Sequence, residues 1–236
     1  MWTSVGWRAR YRRVVRSSFA TVPFYRERWA LSGRTDPVVV SGRFGDDGGA
    51  VPVARIAGRL PELVPLAGGR ADVDPVRGLG TVLRPPAGSL VVMVGALPPM
   101  DLPEGVRCAV VEPSEESVVD FTAPSVIAVG APKDLARLAN ALPEHVRQVP
   151  LVAIDELADV DTGLIADDVL GILGDRRDCG QWHLDWQRVY ARATPLGLAF
   201  TLLRQQSPRL VDVVPVEGAR GAVASCPRHG SPVIVP

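Results

Sequence analysis

The sequence has few cysteines and only one lysine, and each shortage excludes a class of protein. Three cysteines in 236 residues are an odd number, which argues against a disulfide-built scaffold and indicates a reducing, cytoplasmic compartment. Of the 26 basic residues only Lys133 is a lysine, and this restricts chemistry that needs a positioned ammonium group. Acidic residues also number 26, so the charge balance gives no reason to expect a nucleic-acid partner.

Long apolar runs are missing as well. No stretch approaches the ~20 apolar residues that a membrane-spanning helix needs, so no membrane span is expected. The arginine-rich N-terminus is not followed by the apolar segment of a secretory signal. The hydrophobic content of 47% still provides for a substantial core, and the length allows one large domain or two small ones. We therefore expect a globular, cytoplasmic protein.

The scarce cysteine and histidine residues are concentrated near the C-terminus. Cys179 and His183 form a Cys-x3-His pair, and Cys226 and His229 form a Cys-x2-His pair. Two thiolates and two imidazoles suit tetrahedral zinc, and four protein ligands leave no open position for a catalytic water. The set and number of ligands therefore predict a structural zinc site, although neither pair has a common zinc-finger spacing. The alternative is that the two cysteines are small buried residues with histidines nearby by chance.

The middle of the chain alternates between strands and helices. Apolar runs at 90–94, 108–111, 125–129 and 149–154 have the length and character of strands buried on both faces. Ser114 is suited to cap a helix after the second run, and Pro132 is suited to begin one after the third. Short connections between such strands predict a parallel α/β layer.

The predicted fold class is α/β, with a parallel layer followed by a smaller β-rich C-terminal part that carries the zinc site. The N-terminal residues 1–35 form a helical segment, because Trp7, Tyr11, Val14, Val15 and Ser18 recur at helical spacing. Residues 36–160 contain the α/β layer and residues 161–236 the β-rich part. We expect these segments to form one compact unit.

Three stretches resemble one enzyme family. The N-terminal "RSSFATVPFYRERWALSG" carries a V-P-F-Y-R-x-x-W turn, and "FTAPSVIAVGAPKDLARLAN" carries a strand that ends in a Gly-x-Pro turn and opens a helix. The tail, from "CGQWHLD" through "TLLRQQSP" to "CPRHGSP", carries the most specific match. Together these stretches resemble the phenylacetate–CoA ligase-like adenylate-forming enzymes. The matching tail positions are Cys179, Gly180, His183, Asp185, Thr201, Leu202, Leu203 and Pro208.

The resemblance implies zinc, since some members hold it at such clusters, with His229 standing where a cysteine is usual. It also implies an acyl or aryl acid ligand and a ligase or acyl-carrier protein as partner. The motifs with which the family binds ATP are missing, however. The sequence has no phosphate-gripping loop that ends in lysine, and Val213-Val214-Pro215-Val216 stands where Gly-Asp would hold the ribose. We expect no C-terminal lid domain with its lysine, and we therefore do not expect ATP or CoA as cofactors.

Three functions therefore stay open. The first is a non-adenylating binding or partner subunit in acyl or aryl acid metabolism. The second is an active acid–CoA ligase with an unusual or shared ATP site. The third is an unrelated zinc-dependent hydrolase that uses Asp185 or Glu217 beside a three-ligand site. We favour the first, because adenylation depends mainly on a lysine ammonium that stabilises the developing charge. Lys133 lies in the wrong motif to provide this group.

Overall fold

The structure is a computed structural model that describes residues 2–31, 48–112, 122–139 and 142–236. The predicted helix start at Ser114 lies outside these residues. Within them, no helix is long and apolar enough to cross a membrane.

Helices and strands both occur, and strands predominate, which confirms the predicted mixture of α and β structure. The α-helices are α1 Ser4–Thr21, α2 Pro23–Leu31, α3 Val53–Ile56, α4 Leu79–Leu83 and α5 Pro132–Leu138. The strands of the first half are β1 Val51–Pro52, β2 Leu90–Val94, β3 Arg107–Val111, β4 Val126–Gly130, β5 Arg147–Val152 and β6 Leu164–Asp167. The strands that follow are β7 Gly171–Arg176, β8 Trp182–Leu184, β9 Val189–Thr194, β10 Gly197–Leu202, β11 Val213–Val214, β12 Ala222–Ser225 and β13 Pro232–Val235. Short 3₁₀ turns cover Leu60–Leu63 and Ile154–Glu156.

The chain divides into two compact units. Unit 1 combines Met1–Val73 with Gln181–Pro236, and unit 2 is Asp74–Gly180. This division follows contacts in space, so it joins the N-terminal helices to the last strands. The predicted segments 1–35, 36–160 and 161–236 are each continuous in sequence, so none of them can combine the two ends of the chain.

Unit 2 is built on parallel strands in the order β3-β2-β4-β5-β6, with β7 antiparallel to β6. All five residues of β2 and of β4 are buried, as their continuous apolar runs predict. Side chains alternate between the two faces. Val91 and Ile127 join an apolar cluster that includes Leu79 of α4, while Val92 and Ala128 join a second cluster that includes Leu135 of α5. Pro132 opens α5 as predicted.

The expectation that the second apolar run is buried on both faces is wrong. In β3, Arg107 and Cys108 are exposed and the side chain of Val110 is 45% exposed. The reason is its position, because within the described residues β3 pairs only with β2 and forms an edge of the sheet. An apolar run of strand length therefore did not distinguish an edge strand from a central one.

Unit 1 contains the N-terminal helices and two groups of strands, which are antiparallel except for the parallel pair β1–β11. Helix α1 is capped by Thr3, whose hydroxyl accepts a hydrogen bond from the Gly6 amide. Its buried residues are Trp7, Tyr11, Val14, Val15 and Ser18, the face that the helical spacing predicts. Trp7 donates a hydrogen bond from Nε1 to the Val189 carbonyl at 2.9 Å, and so joins the helix to β9.

The strands of unit 1 form a four-stranded sheet and a three-stranded ribbon. The sheet has the order β1-β11-β10-β9, with β9 and β10 paired as a hairpin over six residues each. In the ribbon, β13 lies between β12 and β8 and is antiparallel to both. This ribbon positions most of the candidate metal ligands.

Candidate metal centre

The first two candidate ligands lie on either side of one turn. Cys179 belongs to a tight turn after β7, in which the Gly180 amide donates a hydrogen bond to the Arg177 carbonyl at 2.8 Å. Gly180 has a φ of +74°, a left-handed conformation that glycine adopts without strain. The chain then enters β8, which places His183 in the ribbon.

The other two ligands occupy the turn between β12 and β13. The Cys226 amide donates a hydrogen bond to the Ser231 carbonyl at 2.9 Å, and the Gly230 amide donates one to the Cys226 carbonyl at 2.8 Å. These bonds close the turn and hold Cys226 and His229 on it together. Strand β13 then pairs with β8, with Val233 opposite His183, and this pairing brings the second pair of ligands to the first.

All four predicted ligands therefore meet in one cluster. One ligand atom from each of Cys179, His183, Cys226 and His229 lies within 4.8 Å of the other three. His183 and Cys226 are buried, Cys179 is half-buried and His229 is exposed. The His183 and His229 rings are 4.9 Å apart between centroids and nearly perpendicular, at 82°. Within the described residues, this is the group of metal-ligating side chains that the structure brings together.

One separation within the cluster fits a tetrahedral ion. Zinc–sulfur and zinc–nitrogen bonds of ~2.3 and ~2.0 Å imply about 3.5 Å between a sulfur and a nitrogen on the same tetrahedral ion. Cys226 Sγ lies 3.5 Å from His229 Nδ1. The cluster is thus a candidate metal-binding site whose measured edge has the length that coordination requires.

A further polar contact orients one imidazole. His183 Nδ1 lies 2.8 Å from Ser231 Oγ, and both residues are buried. Metal-bound histidines ordinarily use their second ring nitrogen in such a hydrogen bond, which fixes the tautomer and the ring orientation. Ser231 was not among the predicted site residues, although it lies only two residues after His229.

Other residues singled out in the sequence have roles outside the cluster. Asp185 forms an ion pair with Arg188, with 3.3 Å between its Oδ2 and the arginine Nε, and Glu217 is exposed. Lys133 is exposed in the first turn of α5, in unit 2. The structure therefore brings the four predicted ligands together without drawing these three side chains into the same site.

Asp212 is a buried carboxylate with several hydrogen bonds, and no sequence motif marks it. Arg192 donates to its two oxygens at 2.9 Å each, and the Tyr11 hydroxyl donates at 2.7 Å. Burial opposes ionisation of Arg192, but the Asp212 carboxylate outweighs burial and raises the pKa of the guanidinium. Burial, together with Asp212, also raises the pKa of Tyr11 well above its usual value. The network joins α1 to β9 and to the segment before β11.

Unit 2 contains a cleft that the sequence motifs did not indicate. A cavity of about 770 Å³ opens beyond the carboxyl ends of the parallel strands. The segments that follow β2, β4, β5 and β6 all contribute to its lining. The predicted parallel strands could have indicated this cleft, because open parallel sheets bind ligands in a crevice beyond the carboxyl ends of their strands.

Comparison with protein-family models finds none that matches the chain. Comparison with curated proteins finds no significant match either. The resemblance to phenylacetate–CoA ligase-like enzymes is therefore carried by the quoted motifs, and it stays a prediction.

Proposed function

We propose that the protein is a zinc-containing, non-adenylating binding or partner subunit of acyl or aryl acid metabolism. The observation that carries the metal part is the convergence of Cys179, His183, Cys226 and His229 within 4.8 Å. The assignment to acyl or aryl acid metabolism is supported by the motifs that resemble adenylate-forming ligases.

Zinc is the metal that this donor set favours. Two thiolates with two imidazoles suit zinc better than hard cations such as magnesium or calcium, which prefer oxygen ligands. His183 would coordinate through Nε2, because its Nδ1 interacts with Ser231. His229 would coordinate through Nδ1, the atom that lies 3.5 Å from Cys226 Sγ.

The role of this zinc is structural. Four protein ligands complete a tetrahedral shell, whereas a catalytic zinc keeps a position for water. Asp185, one candidate base of the alternative hydrolase, is paired with Arg188. The ion would instead hold the turn after β7 to the β12–β13 turn, and so stabilise the ribbon that these elements border.

The metal proposal predicts one zinc ion per chain. Cys226→Ser should lose most of the zinc and lower the melting temperature by roughly 10 °C, because metal binding and folding are coupled. Cys108→Ser is the matched control, since Cys108 is exposed on the edge strand β3 and lies outside the cluster. Zinc content by elemental analysis and melting with and without a strong chelator provide the measurements. A wild-type chain that contains no zinc and melts identically in chelator would refute the proposal.

A further inference from the structure

The cleft of unit 2 lies where the order of its strands reverses. The chain passes from β2 to its neighbour β3 on one side, and the next strand, β4, lies on the other side of β2. The segments that leave the carboxyl ends of β2 and β4 therefore diverge, and open α/β sheets bind their ligands in the crevice at such a point. The observed cleft is lined by 94–98 after β2 and by 131–134 after β4.

The backbone at this point is closely packed. Val94 and Gly130 are partners in the β2–β4 register. A Cβ atom on Gly130 would lie 2.7 Å from the Val94 carbonyl oxygen, closer than such atoms approach in real structures. Glycine therefore lets the two strands end side by side, immediately before Ala131, which lines the cleft.

The size and walls of the cleft suit a small organic molecule. Its volume of about 770 Å³ falls in the usual range of ligand sites. Part of its lining is apolar, and two of the apolar side chains are largely or substantially exposed: Leu97 at 64% and Val110 at 45%. The apolar lining includes Val94, Leu97, Pro98, Val110 and Leu151. An apolar ligand body would cover these side chains.

The charge of the cleft indicates the sign of the ligand's charge. Among the residues that the structure describes, five carboxylates line it against one ammonium group, that of Lys133. The carboxylates are those of Glu112, Asp134, Glu156, Asp167 and Asp168. Arg137 lies 3.5 Å from Asp134 and offsets one of them. The remaining excess of negative charge would repel a nucleotide or a carboxylic acid and attract a cation.

We propose that this cleft binds a compact organic ammonium ion with an apolar body, and that it does not bind an acid or a nucleotide. The position comes from the sheet topology and the cavity, and the charge identifies the class of ligand. The apolar wall distinguishes an organic amine from a bare metal ion, which would gain nothing from contact with Leu97 and Val110.

Matched pairs of probes test the sign of the charge at constant shape. Calorimetry on the full chain should show that benzylammonium binds at least tenfold more tightly than phenylacetate, and hexylammonium at least tenfold more tightly than heptanoate. Added salt should weaken amine binding, because the attraction is partly electrostatic. Equal or tighter binding of the acids, binding of AMP, or binding of magnesium without either amine would overturn the proposal. Failure of both amines would also overturn it.

Variants test the location. Asp167→Asn and Glu156→Gln should each weaken amine binding by roughly tenfold, the size of one lost charge contact near a protein surface. Asp159→Asn is the matched control, because Asp159 is exposed in the same unit and lies outside the lining of the cleft. Equal affinities in all three variants would place the amine elsewhere and refute the assignment. The zinc measurement is independent, since no metal ligand lines the cleft.

Discussion

At the scale of single residues, Asp212 is a buried charge of unit 1 that Arg192 and Tyr11 hold by an ion pair and hydrogen bonds. Asp212→Asn keeps the shape of the side chain and tolerates the left-handed backbone, whose φ is +51°. It leaves the Arg192 guanidinium without its counter-charge. Breaking a buried ion pair from one side costs about 3–5 kcal/mol, so we expect a loss of about that size in the free energy of unfolding. Denaturant titration measures it.

A surface pair is the control for this prediction. Arg176 and Asp161 lie 3.1 Å apart, and the Asp161 side chain is fully exposed. Exposed ion pairs contribute little because water and salt screen them, so Asp161→Asn should leave stability unchanged. If the Asp212 and Asp161 variants unfolded at the same denaturant concentration, the network around Asp212 would not have the importance that its geometry suggests.

Asp167 provides a prediction about pH. Burial raises the pKa of this carboxyl above its ordinary value of 3.8, although the Leu170 and Val169 amides donate hydrogen bonds to it. The folded chain thus holds this proton more tightly than the unfolded chain does. Stability from this group is fully present below the ordinary pKa and is lost as the pH rises through the raised one.

Asp167→Asn should remove this loss, because the amide oxygen can accept the same backbone hydrogen bonds without a charge. The variant should therefore gain stability relative to the wild type as the pH rises from acid to neutral, with the smallest difference in acid. Melting temperatures across this range test the trend, and Asp159→Asn should not reproduce it. A difference between variant and wild type that stayed constant with pH would show that the Asp167 carboxylate is not destabilised by burial.

At the scale of elements, strand β4 and helix α5 differ in how they tolerate a charge. Ile127 and Leu135 are almost equally buried, at 2% and 3% exposed. Strand β4 has neighbours on both sides, whereas α5 has seven residues and covers one face. An aspartate in the short helix can reach water if the helix frays, but an aspartate in the strand cannot.

We therefore expect Ile127→Asp to lower the free energy of unfolding by at least about 4 kcal/mol. The loss caused by Leu135→Asp should be smaller. The Leu135 variant is the internal comparison, and denaturant titration ranks the two. A soluble Ile127→Asp protein that melted like the wild type would show that β4 is not part of the core.

At the scale of the whole molecule, we predict that the isolated chain does not adenylate acids. The sequence has neither a phosphate-gripping loop nor a ribose-binding Gly-Asp after Pro208, and its single lysine lies at the start of α5. Removing one such stabilising donor costs ~10²–10³ in rate, and several are missing together.

ATP–pyrophosphate exchange with a panel of aryl and fatty acids measures this activity. We expect none from the chain alone. Exchange by the chain alone would support the active ligase instead. Exchange only after the products of neighbouring genes are added would support a partner subunit that completes a shared site.

The sequence by itself determined the local features of this protein. Apolar runs fixed β2 and β4, the spacing of Trp7 and Tyr11 fixed the buried face of α1, and Pro132 fixed the start of α5. The four candidate metal ligands could also be identified, because cysteine and histidine are scarce and occur in two close pairs. Each of these features depends on residues that are near neighbours in the chain.

Only the tertiary structure decided what depends on distant residues. The exposure of β3 follows from its place at the edge of the sheet, since its own apolar run matches that of a central strand. The Asp212 network joins Tyr11 and Arg192 from elements far apart in sequence. The cleft lies where β4 pairs with the opposite side of β2 from β3. The local pattern of side chains does not determine which strands pair, so it did not predict this order.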